Sequence, residues 1–367
     1  MVLSSGKYDQ AIVIPKNFLS SWNIAVGAIV LCCCISFTLC LLLFFIVIYF
    51  KIEFLTQKVY LFLPFSLILG TTIVVTQQLH ISQRNFSLFA IVLFLESLAV
   101  SIVSLIMGIF IRDVYGLVIA FFIAQVLLSI IALSLLRKSY GLRNNLQFVS
   151  LEEIKRLFLR FISFPKFQMV SDVLMTSTQN LTPFLLAAFF SSKEVGFFAL
   201  AIRIIRTPVN IAIVSFGNVF KKEALDEFRE HGSYYLTFKK NLLKLFFISL
   251  FIAIVVVFFA PDVFAFVFGS EWRISGEFAR ALGLCLFAET VVNPLNALFQ
   301  VSENQNKYLK VQVINTLLVT ILICCGYYIS KSIIYTLVFY SIATFLSSTY
   351  SLSVLWGLAK NKLNYDN

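Results

Sequence analysis

Apolar residues in this chain come in runs longer than a soluble core requires, broken by short clusters of charge. A helix needs about 20 predominantly apolar residues to cross a bilayer. Ten such segments can be drawn, at roughly 24–50, 59–79, 88–111, 117–136, 167–190, 195–220, 242–268, 278–300, 310–329 and 333–357. The second is the most dilute, because Pro64, Gly70 and the stretch TTIVVTQQ interrupt it. The pattern predicts an all-α, polytopic membrane protein of about ten transmembrane helices.

Two of these segments carry polar groups deep inside their runs. In FQMVSDVLMTSTQNLTPFLLAAFF, the residues Asp172, Thr176, Gln179 and Pro183 recur at spacings of four, three and four, which is one stripe of a helix. In VGFFALAIRIIRTPVNIAIVSFGNVF, Arg203, Arg206 and Asn210 recur at three and four. Only Ser191–Glu194 joins the two segments, which predicts an antiparallel hairpin. At 1.5 Å per residue, Arg206 lies about 18 Å past Glu194 and Gln179 about 18 Å before Ser191, so both sit near the middle of a hydrocarbon core about 30 Å thick. An arginine there costs at least about 2.5–3.5 kcal/mol to insert, so it is expected to face a bundle interior or a wet cavity. Pro183 and Pro208 each free the carbonyl four residues back, at Gln179 and Ile204. The hairpin therefore reads as a wall of a polar, partly cationic cavity.

Composition agrees with a membrane protein: 60% of the 367 residues are hydrophobic and the mean hydropathy is +0.92. The net charge of +11 does not imply nucleic acid, because the basic residues lie in loops between apolar runs. Of 29 Lys and Arg, 20 fall on one alternating set of loops and 7 on the other, with Arg203 and Arg206 inside the membrane. That asymmetry places both termini in the cytoplasm. Seven cysteines lie within apolar segments without CxxC or Cys/His ligand spacing, so they read as inert packing residues and no metal is expected. No carboxylate pair, nucleophile with its base, or phosphate loop is present, so neither an enzyme nor a cofactor is expected.

The basic segment 137–166 divides the chain. It predicts a lobe of four spans at 1–136, a cytoplasmic linker at 137–166 and a lobe of six spans at 167–367. The other large charged segment, KKEALDEFREHGSYYLTFKKNLLK from Lys221, reads as a helix on the membrane surface.

Three stretches together carry a family likeness. GKYDQAIVIPKN at Gly6–Asn17 precedes a long apolar helix, SSKEVGFFALAIRIIRTP spans Ser191–Pro208, and FAPDVFAFVFGSEWRISGEFARAL spans Phe259–Leu282 with a Gly-x-x-Trp turn. The chain resembles the polysaccharide and O-antigen unit flippases of the multidrug/oligosaccharidyl-lipid/polysaccharide exporter superfamily. The resemblance implies two lobes around a central cavity, alternating access, and an oligosaccharide cargo on undecaprenyl pyrophosphate. It further implies the bacterial inner membrane, membrane lipids and polysaccharide assembly proteins as partners, and a proton or sodium gradient as a driving force. In that family the Y-x-x-A-I-V-L-P-K loop follows a second helix, whereas here it follows Met1–Ser5, so two helices are expected to be missing.

Under this resemblance Arg203 and Arg206 are candidates for gripping pyrophosphate or acidic sugars, since a guanidinium fork pairs with such oxygens. The competing reading is a structural ion pair. Glu289 lies twelve residues past Glu277 and hence about 18 Å deep from the same side, within reach of one arginine. Gln179, Asn210 and Asp172 complete the expected cavity set. Glu96 lies near the midplane with no cation close in sequence, and reads either as a protonation site for ion coupling or as a carboxyl kept neutral by burial. His80, beside Gln83 and Arg84, reads as an interfacial residue. Asn293, Pro294 and Asn296 mark a bend in the eighth span. Three function classes follow: a lipid-linked glycan flippase, a drug or cation antiporter of the same superfamily, and a membrane glycan polymerase or ligase. The last is disfavoured, since its acceptor would need a sizeable outer loop and the outer loops are about four to nine residues long.

Overall fold

The structure is a computed structural model that describes residues 4–50, 62–111, 114–140 and 149–360. Lys51, Lys58, Arg112, Arg143, Lys362 and the first residues of the second expected span lie outside the described residues. Among the described residues nine helices are long and apolar enough to cross a membrane. The chain divides into two compact units, Met1–Met169 and Val170–Asn367.

The first unit contains α1 (Tyr8–Ala11), α2 (Phe18–Phe50), α3 (Phe62–Ser82), α4 (Phe86–Phe110), α5 (Val114–Tyr140) and α6 (Leu151–Arg160). Its four long helices match the first four expected spans. Gly6 and Lys7, both at positive φ, turn the chain into α1, after which Ile12 and Val13 are completely buried. Tyr8 stacks on Phe158 at 3.9 Å between ring centroids and donates its hydroxyl proton to the Phe158 carbonyl at 3.0 Å. Asp9 is buried and accepts a hydrogen bond from the Ser5 hydroxyl. From Gly6 to Ile14 the segment is thus largely internal, with Tyr8 and Asp9 hydrogen-bonded within the unit, and it emerges at Lys16 and Asn17.

Helix α6 is amphipathic. It is capped by the Ser150 hydroxyl, which accepts from the Glu153 amide at 3.4 Å. It lies against α2 at Gly27, where an added Cβ would sit 2.8 Å from the Phe158 ring. Between α4 and α3, Asn85 caps α4 by accepting from the Leu88 amide at 3.2 Å. His80, expected at an interface, is fully buried instead, with Nδ1 3.2 Å from the Tyr140 hydroxyl. The last turn of α3 packs inward on α5, which its position beside a polar turn conceals.

The second unit contains α7 (Met169–Phe189), α8 (Ser192–His231), α9 (Tyr235–Phe268), α10 (Arg273–Ala281), α11 (Gly283–Leu295), α12 (Ala297–Val301), α13 (Gln305–Ser330) and α14 (Ile333–Lys360). A π-helical turn, Phe164–Gln168, leads into α7. Helix α7 is the fifth expected span, yet its Thr, Ser, Gln and Asn content leaves it outside the nine most apolar helices. Helix α8 starts in a reciprocal capping box. The Ser191 hydroxyl accepts from the Glu194 amide, and the Glu194 carboxylate accepts from the Ser191 amide at 3.0 Å.

The charged stretch from Lys221 is not a separate surface helix. It continues α8 without a break to His231, where Gly232, at φ 66°, ends the helix. Forty residues give a rod about 60 Å long, twice the hydrocarbon thickness, so the charged turns stand beyond the membrane.

The eighth expected span is broken. Pro294 lies inside α11, the helix stops at Leu295, and Asn296 separates it from the short α12. The core of the second unit joins Phe197, Phe198 and Ala201 of α8, Phe278 of α10, Leu286 of α11, Ile323 of α13 and Leu337 of α14.

Candidate functional site

Helices α8, α11 and α14 place an ion pair inside the second unit. Arg206 Nη2 lies 2.6 Å from Glu289 Oε1, with the two side chains only 16% and 17% exposed. The same nitrogen donates to the Tyr340 hydroxyl at 2.8 Å, and Cys285 Sγ lies 3.7 Å away. Both charges are therefore balanced and hydrogen-bonded, the condition under which a buried pair is tolerated. Arg206 is thus held in an ion pair with Glu289.

Glu289 and Tyr340 also line a polar cavity of about 60 Å³, with room for a few water molecules. Gln179 reaches it from α7, Asn293 from α11 and Asn296 from the bend after it, Gln312 and Asn315 from α13, and Ser347 and Ser351 from α14. Several walls are locked together. Ser347 donates to Asn315 Oδ1 at 2.7 Å and Ser351 to Asn296 Oδ1 at 3.1 Å. Gln312 is 6% exposed and its Oε1 has no hydrogen-bond partner among the described residues.

The expected site residues do not gather at one place. Gln179 and Glu289 meet at the cavity, and Arg206 reaches it through Glu289 and Tyr340. Arg203 and Asn210 are exposed on α8, and Arg203 makes no ion pair among the described residues. Asp172 is buried near the start of α7 and is not among the cavity's lining residues. Glu96 belongs to the first unit, where Gln77 Nε2 donates to its carboxylate at 3.0 Å. Near their connecting turn α7 and α8 share a core through Leu186, Phe197 and Phe198. Farther along they diverge: Thr178 meets Thr316 of α13 at 2.7 Å, whereas Arg206 turns to α11.

Sequence reasoning missed Tyr340, Gln312, Asn315, Ser347 and Ser351. The signal for α14 was available, since Tyr340, Thr344, Ser347 and Ser351 recur at four, three and four, the same stripe that singled out α7. Among the described residues no group of three His, Cys, Asp or Glu is placed to hold a metal.

This arrangement of apolar helices in two units is that of a multi-pass membrane protein with the fold of the MOP-superfamily transporters. A crystal structure of MATE in complex with MaL6 superposes with a TM-score of 0.76 over 98% of this chain and 86% of that one, at 14% identity. A MOP superfamily transporter from Pyrococcus furiosus, described as having a binding pocket of reverse polarity that suggests a different function, gives 0.73 over 98% and 84%, at 15% identity. The Vibrio cholerae MATE transporter VcmN in its bent form gives 0.70 over 98% and 85%, at 14% identity. No curated protein matches the sequence. Residues 20–277 match the family described as "Polysaccharide biosynthesis protein", and the chain belongs to that family.

Proposed function

We propose that this protein flips an undecaprenyl-pyrophosphate-linked oligosaccharide, such as an O-antigen, capsule or exopolysaccharide repeat unit, across the bacterial inner membrane. The cargo moves from the cytoplasmic to the periplasmic leaflet by alternating access, with both termini in the cytoplasm. The spans of residues 1–136 and 167–367 act as the two lobes, and the basic segment 137–166, whose helix α6 packs on the first unit, leads from one to the other.

The observation that supports this reading is the contrast between two arginines three residues apart. Arg206 is neutralised by Glu289, while Arg203 is exposed and makes no ion pair among the described residues. An intramembrane guanidinium without an acidic partner is costly unless it meets an anion. Its planar fork suits the paired oxygens of a pyrophosphate. Asn210 lies on the same helix, two turns from Arg203, and offers amide groups for sugar hydroxyls, as does Gln179 on α7. Glu96 serves as the proton- or sodium-responsive carboxyl, with Gln77 holding it. Asp172 is a buried support at the start of α7, and polysaccharide assembly proteins receive the cargo.

The test is surface glycan in a flippase-deficient host. Arg203→Ala abolishes it while the protein still inserts, and Arg203→Lys restores a part, because an ammonium lacks the bidentate geometry. Full glycan from Arg203→Ala overturns the reading. The MATE-like fold keeps one alternative in view, a cation antiporter. That function calls for net acid at the site, and Glu289 is already committed to Arg206.

A further inference from the structure

An apolar groove of about 410 Å³ runs along the outside of the second unit between α9, α11 and α14. Its walls include Leu242, Leu243 and Phe246 of α9, Phe287 of α11, and Phe345 and Leu352 of α14. Phe246 meets Phe287 edge to face at 5.6 Å, so the floor is formed by rigid rings. All three helices belong to membrane-crossing segments, so hydrocarbon chains surround the groove. The groove lies near one end of its helices. Leu242 is seven residues from the start of α9 and Leu352 eight from the end of α14, about 10–12 Å from either terminus.

Cations cluster at that end. Lys239 precedes Leu242 and Leu243 by three and four residues, which puts it on the groove-bearing face of α9, one turn beyond the apolar walls. Lys240 flanks it, and Lys360 closes α14. Lys360 Nζ lies 5.4 Å from the centroid of the Trp356 ring. That ring packs edge to face on Tyr235 at 5.8 Å and on Phe238 at 6.0 Å. Trp356 therefore ties the Lys360 end of α14 to the Lys239 end of α9. All three lysines are exposed, with no ion pair among the described residues. Two acids of α8 are engaged elsewhere: Glu227 accepts from the Leu236 and Thr237 amides, and Glu223 from the Asn241 side chain. Asn241 lies on the opposite face of α9 from the groove.

From this geometry we infer that the groove is a binding site for an anionic glycerophospholipid. One acyl chain lies in the groove and the phosphate headgroup is held at the Lys239, Lys240 and Lys360 cluster beside Trp356. An apolar slot inside the hydrocarbon selects a chain, and lysines one turn above it select a negative head. Tyr and Trp at that level are the usual residents of the headgroup boundary. The site adjoins the polar cavity, since Val292 and Ser348 line both. Val292 and Ser348 are thus the wall between a lipid there and the cavity that Glu289 lines.

The test uses the full-length protein in detergent. Native mass spectrometry is run with dioleoyl phosphatidylglycerol, dioleoyl phosphatidylcholine, undecaprenyl phosphate and inorganic phosphate as probes. Phosphatidylglycerol is retained in preference to phosphatidylcholine. Lys239→Gln and Lys360→Gln each reduce its retention about fivefold, the weight of one lysine near a charged headgroup. The corresponding Lys→Arg variants keep it, and Thr349→Trp, which fills the groove, lowers retention of both phospholipids. In the unmutated chain, phosphatidylglycerol brominated on its acyl chain quenches tryptophan emission, and Trp356→Phe removes most of that quenching. Equal retention of the two phospholipids overturns the assignment, as does indifference to the lysine substitutions. Displacement of phosphatidylglycerol by inorganic phosphate would make it a free-anion site. Stronger retention of undecaprenyl phosphate, lost in the same variants, would make it a port for the polyprenyl carrier; either result overturns the proposal.

Discussion

Arg206 and Glu289, 83 residues apart, meet at 2.6 Å inside the second unit. Their sequence depths matched, because Arg206 lies twelve positions past Glu194 and Glu289 twelve past Glu277. Breaking a buried pair strands the remaining charge, a loss of about 3–5 kcal/mol. Arg206→Met and Glu289→Leu are each expected to lower the thermal unfolding midpoint in detergent. The double variant Arg206→Met, Glu289→Leu is expected to recover most of the loss. Additive losses in the double variant would show that the two residues act independently.

Gly276 sits where α10 crosses α9 at close range. A Cβ there would lie 2.4 Å from Pro261 Cα and 2.7 Å from the Ala260 carbonyl oxygen, and backbone cannot rotate aside as a side chain can. Gly276→Ala is expected to cost more than the usual 1–3 kcal/mol of overpacking, read as a drop in folded yield and unfolding temperature. A wild-type yield would mean that the two helices separate freely.

Tyr8 contributes ring stacking on Phe158 and one hydrogen bond to its carbonyl. Tyr8→Phe keeps the ring and should cost about 0.5–1.5 kcal/mol, whereas Tyr8→Ala empties a buried site and should cost about 3–5 kcal/mol. Unfolding of both variants separates the two contributions, and equal losses would contradict the packing role.

The charge asymmetry of the loops carries a topology prediction. Reporter fusions after Lys138, Lys222 and Lys360 are expected to be active as cytoplasmic fusions, and those near Lys193 and Glu271 as periplasmic ones. Lys222 is the discriminating position, because it lies within α8 beyond the apolar stretch. A periplasmic signal there would invert the orientation.

The long apolar runs made most of the helices legible, although α8 begins at Ser192, three residues before the expected span at 195, because Ser191 and Glu194 form a capping box and not an open turn. What escaped was whatever depends on which side of a helix meets which neighbour. His80 stands in a polar turn and reads as wet, but its burial depends on Tyr140 packing over it from another helix. Lys221–His231 changes composition abruptly, which suggested a new element. Helical propensity continues through it regardless, and a break requires a residue such as Gly232. The polar stripe of α14 went unnoticed because Tyr, Thr and Ser weigh little against the surrounding Leu, Ile and Phe. Arg203 and Arg206 share a stripe on paper, yet small differences in angle send one to Glu289 and leave the other exposed.

The length of α8 gives the protein a mechanical property. Pro208 removes one backbone hydrogen bond about 24 Å from the start of the helix, leaving about 35 Å of rod between it and His231. A bend of about 10° at that point would swing the charged end through roughly 6 Å. Arg203 and Arg206 lie within two turns of this fulcrum, where displacement is smallest, and Lys221 to His231 ride at the tip, where it is largest. The helix is thus a lever whose short arm carries the intramembrane charges and whose long arm reaches out of the bilayer.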